Sequence, residues 1–264
     1  MKKTELVKYY ADELYNAQER KIPIKSIGKR EPAFDTETAY EVQLYNVRRM
    51  LETSDRLSGM KIGLTSPAMQ EQLGITEPDY GHLYASSARP DGRISISDLI
   101  QPKIEAELAL VLKGDLGGPD VTAFDVMTAT DYLVPAFEII DSRITDWDIS
   151  LTDTIADNAS CGCYVIGSDR IPPDKLDLAE VEMQLYRIFE GKREQISQGK
   201  GTAVMGNPLI AAAWLANRLA TYGQKLKTGD IILSGAFSGA FTAASGEYYE
   251  AKFSGIGWVK AEFI

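Results

Sequence analysis

Two glutamates one residue apart, Glu105 and Glu107, are the side chains in this sequence best placed to do chemistry. They lie in Pro102-Lys-Ile-Glu-Ala-Glu-Leu-Ala-Leu-Val-Leu112, an apolar run with strand character. Alternate side chains of a strand share a face, so both carboxylates point the same way, with Cα atoms roughly 6.6 Å apart. Ile104, Ala106, Leu108 and Leu110 then face a core, while the glutamate face continues as Ala109 and Val111 and is at least half-buried. Two carboxylates on such a face repel each other, and burying them unpaired is costly or raises their pKa values. A hard cation such as Mg²⁺, Ca²⁺ or Mn²⁺ would relieve that repulsion. A solvated strand face would carry the same pair, and spacing alone does not choose. A third carboxylate tips the balance: Val134-Pro-Ala-Phe-Glu-Ile-Ile-Asp141 sets Glu138 between Phe137 and Ile139, where an acid needs a partner. Asp141 competes for this role but lies nearer the strand end, where water reaches it. Three carboxylates from two strands would form an open metal site, with positions left for substrate and water.

The remaining inventory narrows the chemistry. His82 is the single histidine, so acid–base work falls to Asp, Glu, Lys, Tyr or water, and a Ser-His-Asp triad would have to use that one ring. No G-x-G-x-x-G follows a strand and no Walker A sequence occurs. The glycine spacing of Gly235-Ala-Phe-Ser-Gly239 is wrong for a nucleophile elbow. The acidic stretch Asp141 to Asp157 lacks the EF-hand pattern and reads as a mostly solvated loop, with Asp157 and Asn158 turned toward the site. Cys161 and Cys163 read as reduced, packed side chains, and Asn158-Ala-Ser160 as a chance match to a glycosylation sequon. A net charge of -10 argues against nucleic acid and against a polybasic membrane anchor. It also means that an anionic substrate needs a local lysine, arginine or metal. With no apolar leader and no run of membrane-spanning length, the chain is expected to be cytoplasmic.

The elements that would hold these residues fall into two portions. Residues 4–20 show a helical stripe of Leu6, Tyr10, Leu14 and Ala17. After a loop over 21–34, a second helix starts near the N-cap Asp35, with an apolar stripe of Tyr40, Leu44, Val47 and Leu51. From Lys61 the pattern turns to strands: 104–112, 135–141, 181–189, 231–234, 248–253 and 258–264, the last two joined by Ser254-Gly255. One helix interrupts them, from Pro208 to Gly223. The expected architecture is α+β: a helical portion over 1–60 and a β-rich catalytic portion over 61–264.

An ordered set of motifs then carries a resemblance across nearly the whole chain. It runs through Lys61-Ile-Gly-Leu-Thr-Ser66, Glu77-Pro-Asp-Tyr-Gly81, Pro102-Lys-Ile-Glu-Ala-Glu-Leu108, Pro135-Ala-Phe-Glu-Ile-Ile-Asp-Ser-Arg143 and Ala156-Asp-Asn-Ala-Ser160. It continues through Gly206-Asn-Pro208, Gly229-Asp-Ile-Ile-Leu-Ser-Gly235 and Gly255-Ile-Gly257. Together these resemble the hydratase/decarboxylase branch of the fumarylacetoacetate hydrolase superfamily. The resemblance implies a mixed β-roll, a divalent metal (Mg²⁺ or Mn²⁺) on Glu105, Glu107 and Glu138, and Lys61 and Asp79 as catalytic residues. Ser160 and Ser234 are weaker candidates for substrate hydrogen bonds. Read without it, Lys61 would be a surface lysine and Asp79 a turn residue. Within that branch, Ser142-Arg-Ile-Thr-Asp-Trp147 followed by Ala156-Asp-Asn-Ala-Ser-Cys-Gly162 most resembles the lyases that hydrate 2-hydroxypenta-2,4-dienoate, which implies a small 2-hydroxy-dienoate or 2-oxo acid substrate. Decarboxylation of 4-oxalocrotonate is the nearest rival. Carbon–carbon hydrolysis of acylpyruvates and a non-catalytic partner subunit stand further off. The resemblance implies a homo-oligomer and admits a complex with a neighbouring pathway enzyme. Three departures bear on the pocket: His82 after Asp-Tyr-Gly, Asn207 before Pro208, and Trp258 near the C-terminal end.

Overall fold

The computed structural model describes residues 2–66, 70, 71, 75 and 77–264. Helices α1 (Lys3–Arg20), α2 (Ile27–Arg30) and α3 (Thr36–Glu52) come first. α1 buries Leu6, Tyr10, Leu14 and Ala17, the stripe that its periodicity predicts. α3 begins where the Asp35 carboxylate accepts the Thr38 backbone N–H at 2.8 Å, an N-cap bond. The loop expected over 21–34 contains the single turn α2, whose Ser26 hydroxyl accepts the Lys29 N–H at 3.1 Å.

Among the described residues twelve strands follow: β1 (Leu57–Gly63), β2 (Asp79–Tyr84), β3 (Arg93–Ile94), β4 (Pro102–Leu112), β5 (Thr130–Asp141), β6 (Cys161–Ile166), β7 (Glu182–Phe189), β8 (Lys192–Lys200), β9 (Ile231–Ala236), β10 (Phe241–Thr242), β11 (Tyr248–Phe253) and β12 (Gly257–Phe263). Helices α4 (Ala123–Ala129), α5 (Leu151–Ala156) and α6 (Pro208–Ala220) lie among them. The larger sheet runs β2-β1-β9-β4-β5-β6, with β10 added beside β4. It is mixed, because β1 and β9 are parallel while the other pairs are antiparallel. The smaller sheet runs β3-β12-β11-β7-β8. The architecture is the α+β arrangement that the strand and helix pattern predicts. Among the described residues no helix is long and apolar enough to cross a membrane.

The larger sheet curls until its two edges meet. The Arg89 N–H, just beyond β2, donates to the Tyr164 carbonyl on β6 at 2.8 Å, and the Ser58 and Tyr164 hydroxyls lie 2.9 Å apart. The curl gives the sheet two different faces. The outer face carries Met60, Ile62, Ile104, Leu108, Phe137 and Ile232 into a large core shared with α1, α3, α6 and the smaller sheet. The inner face carries a second apolar group: Leu83, Ala109, Val134, Ala136, Cys161, Tyr164 and Leu233.

Three local readings are corrected. β8 was not foreseen: Lys192-Arg-Glu-Gln-Ile-Ser-Gln-Gly-Lys200 is too polar to signal a strand, yet it pairs along β7 as a solvated edge. The stretch from Asp141 to Asp157 is not a mostly solvated loop, because Asp141, Asp153 and Asp157 are all buried. Each acid finds donors there. The Asp153 carboxylate accepts the Ile27 N–H and the Ser26 hydroxyl, each at 2.6 Å, tying α5 to α2, while Asp141 accepts the Gln101 N–H at 2.7 Å. The third concerns 208–223, where the helix itself ends at Ala220 and the turn continues to Gly223 in the left-handed conformation.

Candidate active site

Strand pairing assembles the carboxylates. β4 and β5 are antiparallel with Glu105 directly opposite Glu138, so both point to the inner face together with Glu107. Glu107 and Glu138 are fully buried and Glu105 is half-buried. The register between β4 and β9 shifts beside Glu107, so that Glu107 faces Ala236 while Ala109 faces Leu233. That bulge swings the Gly235 N–H onto one Glu107 oxygen at 2.8 Å. Gly235 has φ +111°, and a Cβ there would lie 2.4 Å from the Thr65 hydroxyl, so the bulge requires glycine.

Lys61 enters from β1, where its neighbours are Gly81 on β2 and Leu233 on β9. Its ammonium is buried, 3.3 Å from Glu138 Oε1, and donates to the Ala159 carbonyl at 2.9 Å. Asp79 begins β2 opposite Gly63 and is buried. One Asp79 oxygen accepts the Thr154 hydroxyl at 2.9 Å, and the other has no hydrogen-bond partner among the described residues. A Cβ at Gly63 would sit 2.2 Å from that second oxygen and 3.2 Å from Lys61 Nζ. Glycine therefore leaves the space in which the lysine and aspartate approach.

Electrostatics follow from this crowding. Burial, then repulsion from Glu138 and Glu105, pushes Glu107 well above the ordinary carboxylate range. Burial raises Glu138 to about 7, against the pull of Lys61, and burial also raises Glu105 and Asp79. Burial alone would lower Lys61, but Glu138, Asp79 and Glu105 outweigh it and the ammonium keeps its proton. Among the described residues Lys61 faces four carboxyl groups, with Lys103 adding a weaker pull on Glu105 alone. The three glutamates offer oxygens that all lie within 4.8 Å of one another. Among the described residues Glu107 Oε1 and Glu138 Oε2 have no hydrogen-bond donor although both are buried, and Glu138 Oε1 meets only the Lys61 ammonium at 3.3 Å. All-oxygen donors, close together, buried and undersupplied with positive charge, fit a divalent cation.

The structure thus brings Lys61, Asp79, Glu105, Glu107 and Glu138 together. Ser160 is buried, with its hydroxyl 3.4 Å from Asp157 Oδ2, in the turn that carries Ala159. Ser234 lies in the bulge next to Gly235, its buried hydroxyl without a partner among the described residues. His82 points elsewhere. β2 alternation puts it on the outer face with Tyr80, and the two rings are 6.2 Å apart. Burial lowers its pKa to about 4, so the ring is neutral. Asn207 caps α6, its side chain accepting the Leu209 N–H at 2.9 Å. Trp258 packs on Tyr186 in the smaller sheet.

Sequence reasoning missed the support around Lys61. Arg143 and Asp157 form a fully buried ion pair. Beside it Asn158, Ala159 and Ser160 all have positive φ, at 55°, 50° and 53°. Left-handed backbone costs a non-glycine residue on the order of 1 kcal/mol or more, so three in a row persist only where the surroundings enforce them. Nothing in their residue types signals it beyond the tolerance of asparagine for this region.

Known proteins resemble this chain over most of its length. The family model described as Fumarylacetoacetate (FAA) hydrolase C-terminal matches residues 68–264. A TodF product hydratase of Pseudomonas putida is 43% identical over 262 residues, covering 99% of this chain and 96% of that protein. A 2-keto-4-pentenoate hydratase of Paraburkholderia xenovorans is 42% identical, covering 96% of this chain and 93% of that one. The solved structure of 4-oxalocrotonate decarboxylase from Pseudomonas putida G7, complexed with magnesium and adipate, matches with a TM-score of 0.94 at 34% identity, covering 99% and 98% of the two chains.

Proposed function

The chain belongs to the fumarylacetoacetate hydrolase family, and we propose that within it the protein is a metal-dependent lyase that hydrates 2-hydroxypenta-2,4-dienoate to 4-hydroxy-2-oxopentanoate. The observation that carries this reading is the buried cluster of Glu105, Glu107 and Glu138 with Lys61 and Asp79 beside it. A divalent cation on the three glutamates, Mg²⁺ or Mn²⁺, would supply Lewis acidity toward the carboxylate and 2-oxo oxygens of the substrate.

The chain's own residues supply the proton chemistry. The dienol gives up its hydroxyl proton and gains one at C5, becoming a conjugated 2-oxo-3-enoate. Water then adds its oxygen at C4 and a proton at C3. Asp79, with one oxygen free and a raised pKa, is suited to accept and return a proton or to orient the water. Lys61 is held protonated by its neighbours and stabilises negative charge as it develops on substrate oxygen. The unpartnered Ser234 hydroxyl and the Ser160 hydroxyl are offered as substrate hydrogen-bond donors. The test adds purified protein and Mg²⁺ or Mn²⁺ to fresh 2-hydroxypenta-2,4-dienoate, follows loss of its ultraviolet absorbance and identifies the product. Metal-dependent 4-hydroxy-2-oxopentanoate is the expected result, and no turnover would sink the reading.

A second reading is decarboxylation of 4-oxalocrotonate, favoured by the close match of the decarboxylase structure. Identities of 42–43% to the two hydratases against 34% to the decarboxylase place hydration first. Release of CO₂ from 4-oxalocrotonate, without hydration of the pentadienoate, would reverse that order. The protein is further proposed to be a homo-oligomer, which light scattering on the purified chain tests, and to be cytoplasmic, which cell fractionation tests.

A further inference from the structure

We propose that Arg143 is a positioning residue: it locks the left-handed turn Asn158-Ala159-Ser160 so that the Ala159 carbonyl holds the Lys61 ammonium in its working place. The inference rests on the reading of Lys61 as a participant in the reaction. Arg143 is fully buried and grips the chain on both sides of the turn. Its Nη2 donates to the Asp157 carbonyl, just before the turn, and its Nη1 donates to the Cys161 carbonyl, just after it, at 2.9 Å. Nη1 also donates to the Asp141 carbonyl at 2.5 Å, and Nε to Asp157 Oδ1. The Arg143 N–H completes the clamp on Asp157 Oδ2 at 3.0 Å. From the other side the Asn158 side chain pairs with the His82 backbone, accepting its N–H at 2.7 Å and donating to its carbonyl at 2.9 Å.

The turn therefore cannot relax without breaking contacts to β2, the end of β5 and the start of β6. What it presents inward is the Ala159 carbonyl, 2.9 Å from Lys61 Nζ. A flexible lysine side chain facing several carboxylates has no single resting place. A fixed neutral acceptor gives it one without adding another negative charge. The planar fork of an arginine suits two carbonyls and a carboxylate at once, which a lysine cannot reproduce.

Arg143→Lys keeps a charge beside Asp157 but loses the fork, and Asn158→Ala removes the side chain that ties the turn to the His82 backbone. Both are expected to fold and bind metal as the parent does. Both should lower kcat about tenfold with KM within about twofold, as misplacement of a catalytic group does. Crystal structures should show the glutamates in place and the Lys61 ammonium displaced from the Ala159 carbonyl. Unchanged kcat in both variants, or reduced kcat with Lys61 undisturbed, would overturn the proposal. Lys61→Met separates the two levels. Full turnover there would remove the role of Lys61 itself and this inference with it, whereas loss there with normal Arg143→Lys and Asn158→Ala enzymes would remove only the positioning.

Discussion

At the level of single residues, the glutamate cluster trades stability for binding. Without a cation, Glu107 is a buried carboxylate pressed by Glu138 and Glu105, and only the Gly235 N–H and the more distant Lys61 favour its charge. Glu107→Gln keeps an acceptor for that N–H and removes the repulsion. The metal-free variant is expected to melt higher than the parent, while metal binding and turnover fall, kcat by roughly 100-fold or more. Thermal unfolding with and without Mg²⁺, together with metal analysis, checks both signs; near-normal activity with normal metal content would end the metal assignment. Acidity gives a second prediction. Glu138 rises from 4.5 to about 7 on folding, so the metal-free fold binds its proton more tightly than the unfolded chain does. That stabilisation is complete below 4.5 and is lost as pH rises through about 7. A cation takes the proton's place, so the rise in melting temperature caused by Mg²⁺ should be small near about pH 5 and large near about pH 8. A shift independent of pH would contradict the assignment. These acids were legible because alternation along a strand and an acid among apolar neighbours are visible in sequence. Arg143 and Ala159 were not, since their part is played through backbone carbonyls and positive φ, which residue types do not announce.

At the level of elements, the β1–β2 pairing decides whether Lys61 and Asp79 can meet. Gly63 stands opposite Asp79, and the space its missing side chain leaves is filled by the aspartate oxygen and the lysine ammonium. Gly63→Ala is expected to push these groups apart and lower kcat by about 10- to 100-fold, with only a small change in melting temperature. A variant with parental kcat would show that their approach is not needed; kinetics beside a melting curve decides. Long, strongly patterned elements were read closely from sequence: α1, α3, β4, β11 and the Asp35 cap all stand where the pattern puts them. β1, β2, β6, β8 and the short helices α2, α4 and α5 were not, because short or glycine-broken runs, polar edges and single turns carry too little periodicity. The acidic segment between Asp141 and Asp157 misled for another reason. Asp141 and Asp153 are satisfied by backbone N–H groups from distant parts of the chain and Asp157 by Arg143 within the segment, and charge alone suggests water.

At the level of the whole molecule, the helical N-terminal portion is a wall of the catalytic part. Leu6, Tyr10, Leu14, Tyr40 and Val42 belong to the same core as Met60, Ile62 and Tyr80, and Gln43 donates to the Tyr80 and Ile155 carbonyls at 3.0 and 2.8 Å. Five such side chains contribute about 1.5–3 kcal/mol each when buried, comparable to the roughly 5–15 kcal/mol that holds a typical domain together. A chain beginning at residue 56 is therefore expected to give no cooperative unfolding transition; a sharp one, seen by circular dichroism in urea, would show that the β-rich part stands alone. The curled sheet has one more consequence. Its inner face is polar around the glutamates, and further along the strands it is packed with Leu83, Ala109, Val134, Ala136, Tyr164 and Leu233. That end of the curl is closed by apolar side chains, so in the proposed reaction substrate would enter and product leave from the end that carries the carboxylates.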